Sequence, residues 1–260
     1  MKKKLIILTG PTAVGKTDLS IRLARTVGGE IISADSMQVY RRMDIGTAKI
    51  RPEEMDGVRH HLIDILEPTE SFNAFLFKEY ALKAANEIWE RGSIPIIVGG
   101  TGFYIQTLLY DIEFAKSDEN DGIREELNKL YEEHGAAFLH DMLAKVDPEY
   151  AAEVHENNVK KVIRAIEFYR QTGHKLSEHN TEQRERTSPY NFEYFVLSDD
   201  RAVLYERIDK RIDKMVEAGL IAEVQALLDE GVDRESVAMQ GLGYKEIASY
   251  LAGEISLDEA

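Results

Sequence analysis

The sequence predicts an α/β fold: a doubly wound parallel sheet carrying a phosphate-binding loop (P-loop), with an inserted helical subdomain. Three observations predict it. Gly10-Pro11-Thr12-Ala13-Val14-Gly15-Lys16-Thr17 fits the pattern G-x-x-x-x-G-K-[ST]. Apolar strand-like runs alternate with helical patterns, as a parallel sheet with crossover helices requires. Between Asp111 and about Pro189 those runs stop, and the chain turns charged and helical. The expected organisation is a P-loop nucleoside-triphosphatase-like catalytic core, residues 1–110 and 190–260, with a helical insertion at 111–189.

Taken in order, Leu5 to Leu8 reads as a buried strand leading into the loop, and a helix follows with Leu19, Leu23 and Ala24 on one side. Glycines let successive N–H groups turn inward around an anion, and the next helix adds its positive end. Lys16 is placed to reach an outer phosphate and the Thr17 hydroxyl to hold Mg²⁺. Glu30 to Ala34 is the second strand, ending at Asp35. In parallel α/β sheets ligands sit at the carboxyl ends of strands, so Asp35 lies at the right edge to face the loop's ligand; a helix N-cap is the other reading of Asp35. His61 to Ile65 is expected as a third strand. The adjacent His60 and His61 point to opposite sides of it, poor spacing for a metal, so a structural role is expected. Ser71 to Arg91 has helical periodicity through Phe72, Phe75, Leu76, Tyr80, Ala84, Ile88 and Trp89, with Ser71 as cap. Ile94 to Val98 is a fourth, nearly all-apolar strand. It runs into Gly99-Gly100-Thr101-Gly102, a second Gly-rich turn where backbone and a hydroxyl can approach a ligand; a tight turn with Thr101 as helix N-cap is the alternative.

Within the insertion, Ser117 to Gly122 looks like a calcium loop at a glance, but the twelfth position from Ser117 is Asn128, so a solvated loop is expected. Asn157 to Lys175 is a helix with an apolar face (Val159, Val162, Ile163, Ile166, Tyr169). Lys160, Lys161, Arg164 and Arg170 load the rest, with Glu167 the chief acid. A solvated charged face and a phosphate-backbone contact both fit that stripe. Phe192 to Leu197 is expected as a last strand, followed by helices and the polar-aromatic turn Gly243-Tyr244-Lys245.

Composition narrows the partners. The 260 residues are 43% hydrophobic and 30% charged, ordinary for a soluble globular protein, and no apolar run suits a membrane span. The apolar run after Lys2-Lys3-Lys4 is too short for a signal peptide. With no cysteine, disulfides and thiolate–zinc sites are excluded, and a reducing cytoplasm is the simplest home. A net charge of −15 argues against binding nucleic acid by bulk electrostatics, so such a partner needs a local basic patch.

Several stretches together are more specific than the loop alone. They are Gly10 to Thr17, Asp35-Ser36-Met37-Gln38-Val39-Tyr40, Met43-Asp44-Ile45-Gly46-Thr47-Ala48-Lys49, Val98-Gly99-Gly100-Thr101-Gly102 and Gly243-Tyr244-Lys245-Glu246. This pattern resembles the bacterial tRNA dimethylallyltransferases over essentially the whole chain. Members of that family usually continue with a basic segment beyond the position of Ala260, so part of the RNA grip is expected to be missing. The zinc-finger extension of eukaryotic relatives is also absent.

The resemblance implies transfer of a dimethylallyl group from dimethylallyl diphosphate to N6 of adenine 37, beside the anticodon of tRNAs reading codons that begin with U. The loop residues Gly10 to Thr17, with Mg²⁺ on Thr17, would then hold the leaving diphosphate. Asp35 would be the general base, Lys16 would stabilise developing charge, and Thr101 would hydrogen-bond the bridging oxygen. Arg211, with Arg207 as second choice, would neutralise the diphosphate from the opposite side. The anticodon stem-loop would be contacted by Asp35, Ser36, Met37, Gln38, Thr101, Arg124, Lys160, Lys161, Val162, Ile163, Arg164, Gly243, Tyr244 and Lys245. A monomer in the cytoplasm, with no membrane partner, is the expected form. Two other readings stand beside this one. The loop alone suggests an ATP user, such as a nucleoside or nucleotide kinase. A non-enzymatic switch or tRNA-binding module is the third, disfavoured by the absence of Asn-Lys-x-Asp from the sequence.

Overall fold

The computed structural model describes residues 2–114 and 122–260; the acidic stretch at 117–121 lies outside the described residues. The chain divides into two compact units, Met1–Leu109 with Ser188–Ala260, and Tyr110–Thr187.

The first unit is built on five strands: β1 (Lys4–Thr9), β2 (Gly29–Ser33), β3 (His60–His61), β4 (Ile94–Gly99) and β5 (Asn191–Val196). They pair in the order β3-β2-β4-β1-β5, all in parallel. The register lines isoleucines across the sheet. Ile7, Ile97 and Ile32 form one row, each 0% exposed. The neighbouring row, Ile6, Ile96 and Ile31, faces the other way, towards Ile21 and Ala24 of helix α1 (Lys16–Val27). Burial on both faces explains why these strands read as continuous apolar runs. It also puts the ends of β1, β2 and β4 side by side at one edge, where the glycine-rich loop emerges.

Three expectations change. The third strand is two residues long, because Leu62 and Asp64 adopt positive φ and turn the chain out of the sheet. The segment instead pairs with residues after β2, through Ile65 N–H to the Val39 carbonyl and a bridge between Tyr40 and Leu66. Helix α2 (Ala74–Glu90) begins later than the periodicity suggests, with Asn73 and not Ser71 accepting the capping hydrogen bond from Leu76 N–H. Its buried stripe is Ala74, Phe77, Ala81, Ala84, Ala85 and Ile88, while Phe75 is exposed. Alanines let the helix lie close to the sheet, which a stripe of aromatic rings would prevent. Strand β5 forms where expected, yet Tyr194, Phe195 and Val196 stay exposed on this edge strand.

Helix α3 (Gly102–Leu109) closes the first segment of this unit. After β5 come α8 (Arg201–Glu217), α9 (Leu220–Asp229) and α10 (Tyr244–Leu251). The second unit is helical: α4 (Ile123–Val146, interrupted at Gly135), α5 (Pro148–Glu153), α6 (Val159–Thr172) and α7 (Leu176–Glu185). Its core gathers Leu127, Leu139 and Leu143 from α4 with Val162, Ile163 and Ile166 from α6. Asp147, 1% exposed, caps α5 through Tyr150 N–H and receives both N–H and Oγ–H of Ser177, tying α5 to α7. Among the described residues no helix is long and apolar enough to cross a membrane.

Candidate active site

The loop between β1 and α1 has the backbone its sequence pattern demands. Gly10, Ala13 and Gly15 carry φ of 150°, 63° and 91°. A side chain at Gly10 would put its Cβ 2.6 Å from the Leu197 carbonyl oxygen, so β5 leaves room there only for glycine. Gly15 stands at the start of α1 without a side-chain cap, leaving the first helical N–H groups available to an anion. Pro11, Thr12 and Thr17 are exposed, and Val14 is half-buried. The Lys16 ammonium folds back over the loop, donating to the Gly10 carbonyl at 2.9 Å and the Pro11 carbonyl at 2.7 Å. Burial pulls its pKa below the usual lysine value, partly opposed by the charge of Asp35. The Thr17 hydroxyl has no hydrogen-bond partner among the described residues, so it is available to a cation.

Asp35 follows the end of β2. Its Oδ1 accepts the N–H groups of Met37 at 2.8 Å and Gln38 at 3.2 Å. The carboxylate therefore caps a turn, the role the N-cap reading anticipated, although no helix follows. Oδ2 takes no part in that turn. The charge of Asp35 acts on three groups: Lys16, the half-buried Arg211 of α8, and Tyr104 of α3. Burial lowers the Arg211 pKa and the Asp35 charge opposes it. Arg207, one turn earlier, instead pairs with Asp199 at 2.9 Å and reaches the Ala13 carbonyl of the loop at 3.4 Å. Arg207 thus attends the loop directly, while Arg211 feels the charge of Asp35.

Gly99 brings β4 against β2: a Cβ there would lie 2.2 Å from the Ala34 carbonyl oxygen. Thr101 N–H donates to that same carbonyl, which sets Thr101 beside the residue preceding Asp35. Thr101 directly precedes Gly102, the first residue of α3, and its carbonyl accepts the N–H of Ile105. An open cavity is lined by Lys16, Thr17, Asp35 and Gln38, by Ser20, Ser33 and His60, and by the apolar Ile31, Ile50, Ile63 and Val98. His60 donates through Nδ1–H to the Val58 carbonyl, and burial lowers its pKa; His61 meets Glu30 on the other side. Among the described residues no cluster of three or more His, Asp or Glu could hold a metal by itself.

Other predicted contacts are reassigned. Tyr244 is 0% exposed, and its hydroxyl donates to Glu223, so its side chain is unavailable to RNA. Burial and Glu223 push its pKa far up. Met37 packs on Gly241, whose Cβ would lie 2.6 Å from its sulfur. Gln38 bridges Ser33 and the Thr47 carbonyl. Ser36 and Gly243 are half-buried and Lys245 is exposed. Sequence reasoning missed Glu223, whose carboxylate accepts the N–H groups of Asp44, Ile45 and Gly46. It also missed Lys49, 5% exposed in its side chain, which donates to the Tyr40 carbonyl and pairs with Asp44 and Asp64. Nothing local marks Glu223, because its partners lie about 180 positions away in the chain.

In the helical unit, Lys160 and Lys161 are exposed at the start of α6. Val162 and Ile163, 0% and 5% exposed, have their side chains in that unit's core. Arg124 and Arg164 converge on Glu167, and Arg170 pairs with Glu126.

This fold and site define a parallel α/β protein whose glycine-rich anion loop shares a cavity with one carboxylate and is reached by an arginine from α8. The family model described as "IPP transferase" matches residues 38–260, and the chain belongs to that family. It is 59% identical over 255 residues to the tRNA dimethylallyltransferase of Lachnoclostridium phytofermentans, covering 98% of this chain and 82% of that protein. The crystal structure of the full-length tRNA isopentenylpyrophosphate transferase of Bacillus halodurans is similar at a TM-score of 0.71 and 47% identity, covering 99% of this chain and 80% of that one. A eukaryotic dimethylallyltransferase structure, described as acting on tRNA, matches at a TM-score of 0.82 and 32% identity, over 97% of this chain and 64% of that one.

Proposed function

We propose that this protein transfers a dimethylallyl group from dimethylallyl diphosphate to tRNA, at N6 of adenine 37 in tRNAs that read codons beginning with U. The observation that carries the reading is the Asp35 carboxylate lining one cavity with Lys16 and Thr17 of the anion loop, its Oδ1 anchored to backbone. A kinase needs cations around a phosphate it moves. This arrangement suits a phosphate that leaves, with a base set next to it.

Ionisation of the allylic C–O bond puts charge on the diphosphate. The N–H groups of residues 13–17, Lys16 and Arg211 would take up that charge, with Arg207 over the loop and Thr101 on the bridging oxygen. The donor set fits Mg²⁺: Thr17 offers one hydroxyl, and a magnesium ion readily completes its shell with phosphate oxygens and water. Bound there, it would supply further charge neutralisation. The apolar lining of the cavity, Ile31, Ile50, Ile63 and Val98, would receive the short branched hydrocarbon. The exocyclic amine of adenine is nearly non-basic, but it becomes strongly acidic as its nitrogen bonds carbon. A carboxylate then suffices as base, and Asp35 keeps Oδ2 for that proton while Oδ1 is anchored to backbone. A base within a stacked loop must be turned out to reach such a site. Lys160, Lys161, Arg124 and Arg164 would grip the RNA backbone. The chain would act as a cytoplasmic monomer.

The test is incubation of an anticodon stem-loop RNA with dimethylallyl diphosphate and Mg²⁺, followed by mass analysis. A gain of one dimethylallyl unit on the adenine is expected. No gain on RNA, together with phosphate transfer from ATP to small nucleosides, would overturn the reading in favour of a kinase.

A further inference from the structure

Glu167 is a buried carboxylate in a helix otherwise lined with cations, 5% exposed on α6. Burying a lone carboxylate is costly, so its partners matter. Arg124, from the first turn of α4, holds it in a two-pronged contact: Nε at 3.0 Å from Oε1 and Nη2 at 2.5 Å from Oε2. Arg164 reaches the same Oε2 through Nη1 at 3.3 Å. Two guanidiniums from different helices therefore meet on one oxygen. Their side chains remain 58% and 38% exposed, so each keeps N–H donors turned to solvent. Lys160 precedes Arg164 by four residues on α6, which stacks it on the same side of the helix. The trio of Arg124, Arg164 and Glu167 carries a net positive charge, and the buried member sets where that charge stands.

We propose that Glu167 is a positioning residue that fixes the guanidiniums of Arg124 and Arg164 as a paired phosphate clamp for the RNA backbone. This rests on the reading of tRNA as substrate. Free arginines lose rotamer freedom on binding a phosphate; arginines already braced by a carboxylate lose less. The sign of the effect separates this from ordinary electrostatics. Removing an acid near an RNA-binding face strengthens binding if only total charge matters. It weakens binding if the acid orients the arginines.

The experiment uses the full chain, anticodon stem-loop RNA and fluorescence anisotropy across a salt series. Glu167→Gln is nearly isosteric and is expected to weaken RNA binding about tenfold. The log–log salt slope should become shallower by about one. The Michaelis constant for RNA should rise while that for the prenyl donor holds. Arg124→Lys keeps the charge but loses the two-pronged contact, and, in a chain shown by thermal melt to fold, should weaken binding in the same direction. Binding by Glu167→Gln as tight as the parent or tighter, or parental binding by Arg124→Lys, overturns the proposal. A parent chain that binds RNA but transfers no prenyl group sinks the proposed reaction and leaves this test readable. A parent with no affinity for RNA overturns the clamp itself.

Discussion

The hydroxyl of Tyr244 donates to the carboxylate of Glu223, and that carboxylate also accepts three consecutive backbone N–H groups, from Asp44, Ile45 and Gly46. One acid from α9 and one phenol from α10 thereby hold the loop that follows Asp35. The fit is close: a Cβ on Gly46 would lie 2.5 Å from the Tyr244 ring. Thermal melts should show Glu223→Ala destabilised by about 2–4 kcal/mol, because it leaves several polar groups unpaired, and Tyr244→Phe by only about 1 kcal/mol. Gly46→Ala should cost at least about 2 kcal/mol by overpacking. A Glu223→Ala chain melting with the parent would show that the loop is held by other contacts.

Asp35→Asn separates the two oxygens of that side chain. The amide carbonyl can still accept the N–H groups of Met37 and Gln38, so the turn should survive, but no proton can be taken. Turnover should fall about 10²–10⁴-fold with little change in melting or donor affinity. Parental turnover would remove Asp35 from the proposed chemistry.

Lys160→Glu with Lys161→Glu reverses two exposed charges outside the core of the helical unit. Stability should be unchanged within about 0.5 kcal/mol. RNA affinity should drop, and the salt slope should lose about two phosphate contacts' worth, about 1.5 units. A slope equal to the parent's would make the stripe a solvated face.

His60 gives the chain a stability signature in mild acid. Burial, together with the charge of His61, lowers its pKa from the usual 6.5. The unfolded chain therefore takes up a proton at higher pH than the folded one. This contribution is present above about pH 6.5 and is lost as pH falls through the lowered folded value. Denaturant midpoints measured from pH 7.5 to 5 should fall with acidification, and His60→Asn should flatten part of that slope. An unaltered slope would assign it to other groups.

The sequence by itself determined the parallel sheet, the anion loop and the location of the helical insertion. Each is written in short-range chemistry: apolar runs that suit strands buried on both faces, and glycines where the loop takes positive φ. Asp35 and Thr101 were legible because strand ends in such a sheet share one edge. The tertiary structure alone decided which conspicuous residues are scaffold. Tyr244, Lys49 and Gly46 belong to stretches that carry the family resemblance, yet they pack, pair or make room for one another. It also divided the basic stripe, sending Val162 and Ile163 into the core and bracing Arg164 on Glu167. It set Arg207 against Asp199 and the Ala13 carbonyl and left Arg211, a turn later on the same helix, half-buried. Such choices depend on partners distant in the chain, such as Glu223 for Asp44 and Arg124 for Glu167. Helical or strand periodicity carries no record of them, because they arise only when folding brings those segments into hydrogen-bond range.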